Sequence, residues 1–195
     1  SPRVGKIQPR LITSAITKPS KSVPMADIPL LQRLTTEFIV AEDRLRLTGE
    51  IHGGQPVVIW LTHRLIQRLL PVLLDEVGRE NPPHLPRSEV LQSFAQEKAR
   101  AAHEPEPPVP AAQASQVWLA SGIDIQHRSN ELILIFLAAE TPVIALSIAA
   151  LPLRQWLNIL YKLYGQAEWS LDIWPEWMKE SNRPLLVPAS VNQLH

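Results

Sequence analysis

Apolar residues recur along this chain with two periods, and the switches between them mark its predicted elements. Leu45, Leu47 and Ile51 alternate with Arg44, Arg46, Thr48 and Glu50, which is the period of a half-buried strand. Residues 37–51 therefore read as two strands, with Glu42-Asp43 as the turn between them. Just upstream, Leu30, Leu31 and Leu34 are helically spaced and predict a leading turn of helix over 28–36. His52-Gly53-Gly54-Gln55 makes the next turn, since glycine takes positive φ at little cost, and Pro56 opens the strand VVIWL. From Thr62, a natural N-cap, Ile66, Leu69, Leu70, Leu73 and Val77 fall on one helical face that Gly78 can stop. Pro71 interrupts that pattern and predicts a kink, or two short helices meeting at Leu70.

The same order returns later. VWLASGIDIQH, from 117, is a strand candidate with a bend at Gly122, and Ser129-Asn130 is the following turn. ELILIFLAA reads as a strand buried on both faces, and Pro142 opens VIALSIA. Beyond Pro152, Leu153, Trp156, Leu157, Leu160, Tyr161 and Tyr164 form a clean helical stripe. Trp60 and Trp156 are expected in the strand and helix core. Between the two halves, 81–115 is proline-rich and encloses a helical stretch, 88–102, capped by Ser88. Val90, Leu91, Phe94 and Ala95 lie on one side of it. That stripe predicts a helix docked on one of the halves, and the competing reading is a recognition helix for a partner's groove.

Aligning Pro56 with Pro142, with one inserted residue, pairs Leu69 with Trp156, Leu70 with Leu157 and Leu73 with Leu160. The expected fold is α+β: two similar antiparallel β-meander-plus-helix units packed as an intramolecular pseudo-dimer, because one helix covers a three-stranded sheet only in part. The units span 25–80 and 116–180, the latter including a Trp-rich C-terminal segment. Residues 1–24 read as a disordered basic tail, or as a basic arm or transit-like peptide, and Met25-Ala26 would make a natural start. Residues 181–195 read as an extended tail. A twisted meander followed by one helix and paired around a two-fold is similar, in element order over 37–78 and 116–165, to the PC4-like and Whirly-like single-stranded nucleic-acid binders. The resemblance implies nucleic-acid binding on basic and aromatic sheet residues.

Charge and composition narrow the function. The 195 residues carry 19 basic and 19 acidic side chains, so no net field draws the chain to nucleic acid or an anionic membrane. The first unit offers Arg44, Arg46, Arg64 and Arg68 as a nucleic-acid site, while the second unit is net acidic. The lack of cysteine removes disulfides, thiolate metal sites and cysteine nucleophiles, and a cytoplasmic location is expected. No apolar run is long enough to span a membrane. The six histidines show no metal-ligand spacing, and nucleophile-elbow and phosphate-loop motifs are missing. No catalytic residue, metal or cofactor is therefore expected. Trp169, Trp174 and Trp177, three rings within nine residues, either seal the open side of the core or anchor a protein partner. The leading expectation is a non-enzymatic interaction or assembly protein. Single-stranded nucleic-acid binding is the alternative.

Overall fold

The computed structural model describes residues 27–80, 84 and 87–183. The expected tails at 1–24 and, beyond Arg183, 184–195 lie outside the described residues. The fold is α+β, with two sheets and four α-helices among the described residues.

Antiparallel pairing builds the first sheet from β1 (Leu31–Ile39), β2 (Arg44–Ile51) and β3 (Pro56–Thr62). Asp43, at φ 49°, turns the chain between β1 and β2. The helix expected over 28–36 is instead the start of β1. Its period-three leucines are reconciled with a strand by a bulge between Leu31 and Arg33, which puts both Leu31 and Leu34 on the core side. Leu31 then lies across Gly49: a Cβ there would run into the Leu31 side chain at Cδ2.

The chain runs from β3 directly into α1 (His63–Gly78), where the Leu65 N–H donates to the Thr62 hydroxyl at 3.2 Å. Ile66, Leu69, Leu70, Leu73 and Val77 are buried, as their spacing predicts. Pro71 lies on the exposed side of one continuous helix, so two helices meeting at Leu70 are not formed. The helix between the halves is α2 (Ser88–Ala101). Arg87, at φ 64°, holds its N-cap position, and Ser88 is a buried first helical residue rather than the cap.

The expected single strand from 117 to 127 is divided between two sheets. Its first part, β4 (Gln116–Leu119), pairs parallel with β3 as the fourth strand of the first sheet. The chain changes sheet at once: the Ala120 N–H donates to the Trp60 carbonyl at 3.0 Å and the Ser121 N–H to the Leu137 carbonyl at 2.8 Å. β5 (Gly122–Arg128), β6 (Glu131–Ala138) and β7 (Thr141–Ala149) form the second antiparallel sheet. A second junction lies at the opposite edge, where Leu30 bridges Ala145 in parallel immediately before β1 begins. β7 leads into α3 (Ala150–Gln166), and Pro175 precedes the short α4 (Glu176–Ser181).

One core fills the space between the sheets and helices. It takes Leu45, Leu47, Ile59 and Leu61 from the first sheet, Leu132, Leu134 and Phe136 from the second, and the buried stripes of α1 and α3. β6 is buried on both faces as its sequence predicts: Ile133, Ile135 and Leu137 form a smaller cluster with Ala145 and Ile28 on the far side. Trp60 is half-buried on the outer face of the first sheet, opposite Arg46, rather than in the core.

Gly49→Ala should destabilise the chain by about 1–3 kcal/mol through overpacking against Leu31. Urea unfolding checks this. In a Leu31→Ala background the same substitution should cost much less, and an equal cost in both would show that the contact is irrelevant.

Candidate functional site

Helix α2 carries a glutamine at 92 and another at 96, in line with Ser88 and Ala99, and these four residues form its buried face. Polar side chains stay buried only where partners meet them, and the partners here are the open end of α1 and the first turns of α3. The last carbonyls of a helix have no partner within it. The Gln92 amide donates to the Val77 carbonyl at 3.2 Å and to the Gly78 carbonyl at 3.4 Å. Arg154 of α3, only 3% exposed, donates through Nη2 to the same Val77 carbonyl at 3.0 Å, to Gln92 Oε1 at 2.6 Å and to Glu80 Oε2 at 2.8 Å. A cation at the negative end of a helix dipole is well placed. Glu80 partly balances the charge, and the Trp177 ring centroid is 6.0 Å from the guanidinium carbon. Gln96 donates to the Arg154 backbone carbonyl at 2.8 Å, and Gln155 donates to that of Ala99 at 3.2 Å.

This node decides which way α2 faces. With its polar row turned inward, Val90, Leu91 and Phe94 point outward, 51%, 46% and 65% exposed. The expected docking on the apolar stripe is therefore inverted: the helix docks, but through its glutamines. Local periodicity could not reveal this, because Gln92 and Arg154 are 62 positions apart.

A second feature crosses the outer face of the first sheet. The proline-rich segment after α2 is laid over β1 as a strap, at least from Glu106 to Val109. Arg33 pairs with Glu50 at 3.0 Å and with Glu106 at 3.2 Å, and donates to the Pro107 carbonyl. The Val109 N–H donates to the Thr35 hydroxyl at 2.9 Å, and the Val109 side chain is buried. Prolines lack the N–H that strand pairing needs, so side chains tie the strap down instead. Between the strap, β1, the end of β7 and α3 lies a cleft of about 620 Å³ with mixed polar and apolar walls. On its α3 side the Trp156 indole N–H donates to the Thr36 hydroxyl at 3.0 Å.

The four arginines of the first unit are not gathered on one face. Arg46 is engaged by Glu37 at 2.9 Å and lies 5.9 Å from the Trp60 ring centroid. Arg44 is half-buried beside Thr62 in the β2–β3 ladder, and Arg64 and Arg68 are exposed one turn apart on α1.

The three C-terminal tryptophans are likewise separated in role. Trp174 and Trp177 belong to the core, 1% and 9% exposed, and Trp174 meets the rings of Tyr161 and Tyr164 edge-on. Trp169 is half-buried and stacks on His63 at 4.0 Å and 15°, with Phe38 and Tyr164 against it at steeper angles. Burial pushes the Tyr164 phenol up to about 12. Burial also lowers the His63 pKa, against an opposing pull from the Asp43 carboxylate. At the far end of α1, Glu76 lies 3.0 Å from both Arg79 and His127, joining the helix to the β5–β6 hairpin.

Among the described residues no three histidine, aspartate or glutamate side chains could together hold a metal ion. Neither is any helix among them long and apolar enough to cross a membrane. Comparison with protein-family models, curated proteins and solved structures returns no match to this chain.

His63 supplies a pH test. With its folded pKa below the ordinary 6.5, the folded chain binds fewer protons than the unfolded chain as pH drops past that value. The stacked imidazole therefore contributes fully above the ordinary value, and its contribution is lost as pH falls through the lowered one. Urea unfolding between pH 8 and pH 5, about 1.5 units either side of the ordinary histidine value, should show this loss. His63→Phe should flatten that part of the profile, and identical profiles for the two proteins would contradict it.

Proposed function

We propose that the chain is a non-enzymatic interaction or assembly protein that offers the outer face of α2 to a protein partner. One observation supports this reading above the others: a helix that buries its glutamines and turns Val90, Leu91 and Phe94 to solvent. Exposed large apolar side chains gathered between charged ones, here Glu89, Glu97 and Lys98, are typical of surfaces that bind other proteins. Anchors at i, i+1 and i+4 suit a helix entering an apolar groove. In this reading the two meander–helix units form an intramolecular pseudo-dimer that serves as a rigid frame. The strap and α2 are then what the connection between the units adds. Trp174 and Trp177 support the frame from inside rather than touching the partner, and Trp169 steadies the start of α1.

Single-stranded nucleic-acid binding has less support, because Arg46 is engaged by Glu37 and the strap lies over part of the neighbouring sheet face. An oligonucleotide titration that weakens with added salt, and with Arg44→Ala or Arg64→Ala, would move the reading to that side.

The direct test places a benzophenone amino acid at position 94 in cells that make the protein. The expected result is a discrete adduct with one other protein, lost when Leu91→Ser is added. That surface change should alter stability by no more than about 0.5 kcal/mol. The same adducts from a probe at position 68 on α1, or none from 94, would contradict the proposal.

A further inference from the structure

We infer that the cleft between β1 and β7 binds a short extended peptide of another protein, which adds a strand between the two sheets. This site is separate from the outer face of α2, and either can fail without the other.

β1 and β7 are each the end strand of a sheet, and they meet at one point. Leu30 and Ala145 join them in parallel there, with the Ala145 N–H donating to the Pro29 carbonyl at 2.9 Å. Beyond that bridge no backbone pairing links the two strands among the described residues. The ladders fix which groups look into the cleft. The Ile51 N–H donates to the Gln55 carbonyl, so by alternation Gly49 and Leu47 also turn toward β3, while Glu50, Thr48 and Arg46 turn toward β1. Their partners on β1 are Arg33, Thr35 and Glu37. Leu34 and Thr36 therefore aim their N–H and C=O groups away from β2. On β7 the bond from Ala145 to Pro29 marks the outward-facing set, and Ser147 follows two residues on.

The walls suit a strand. Leu146 to Ala149 line the cleft, a length of about 13 Å that matches four residues of extended chain. α3 stands on one side with Trp156 and Ile159, and the strap stands on the other with Glu104 and Glu106. Alternate side chains of an inserted strand meet these two walls in turn. The chemistry of the peptide follows: apolar residues toward α3 alternate with basic ones toward the strap. Glu106 is shared with Arg33, while Glu104 has no ion-pair partner among the described residues. The strap cannot take the place of the peptide, since Pro105, Pro107 and Pro108 have no N–H to give. It screens a pair of edges that would otherwise invite aggregation, and leaves their hydrogen bonds unmade.

The experiment titrates the full chain, labelled with nitrogen-15, with a capped five-residue peptide that alternates valine and lysine. In the free chain the Leu34, Thr36 and Ser147 amides should exchange quickly with solvent, and excess peptide should protect them. Methylating two backbone nitrogens of the peptide should weaken binding about tenfold or more. Glu104→Lys, a change at an exposed position, should weaken it several-fold with urea unfolding unchanged. No binding of the unmethylated peptide, or equal binding of the methylated one, would overturn the inference. So would protection of the three amides in the free chain, which would mean that the edges are already paired within the protein. An unchanged affinity in the Glu104→Lys variant would overturn the placing of the basic row against the strap.

Discussion

The orientation of α2 depends on one buried cation. Arg154 reaches from α3 to the open carbonyl end of α1, donates to the Gln92 amide oxygen of α2 and pairs with Glu80, so three helices share a single guanidinium. A charge this deep is tolerated only because it is paired and hydrogen-bonded. Replacing it by an apolar side chain would remove the donor that the Val77 carbonyl, the Gln92 amide oxygen and Glu80 share. Arginine suits the place better than lysine, since its planar fork can meet several acceptors at once and lie over the Trp177 ring.

That node sets the rest of the surface. The glutamines must face inward to meet Arg154 and the end of α1, so the valine, leucine and phenylalanine of α2 must face outward. The strap uses the same kind of tie in a different place: Arg33 gathers Glu50, Glu106 and the Pro107 carbonyl, and holds a proline-rich segment that cannot pair as a strand. Both devices fix the connection between the two meander–helix halves without burying its apolar side chains wholesale. The apolar work is done elsewhere, in the shared core that Trp174, Trp177 and Met178 close.

Much of the frame was legible in the residue pattern, because strand alternation and helical stripes report local burial directly. The β2 and β3 strands, the stripe of α1 with its Thr62 cap, the doubly buried β6 and the stripe of α3 could all be read this way. What escaped has a common cause. The start of β1 was masked by a bulge that gave strand leucines a helical spacing. The strand from 117 was broken by the competing pull of Trp60 and Leu137, one carbonyl in each sheet. The direction of α2 was hidden because its decisive partners are an arginine and a helix end far along the chain. A glutamine row at 92 and 96 was the available signal, but polar residues repeating on the face opposite an apolar stripe do not by themselves say which face is buried. For the site, the apolar residues of α2 were identified, but their exposure was not. Trp174 and Trp177 stand in the core, the sealing position that the sequence left open beside partner anchoring.

The most direct measurement is a double-mutant cycle between Arg154 and Gln92, with Arg154→Met, Gln92→Leu and the two combined, read by urea unfolding. If the shared guanidinium sets the orientation of α2, the combined change should cost less than the sum of the single changes by about 1 kcal/mol or more. Strictly additive costs would mean that the two side chains do not depend on each other, and that α2 is held in place by something else.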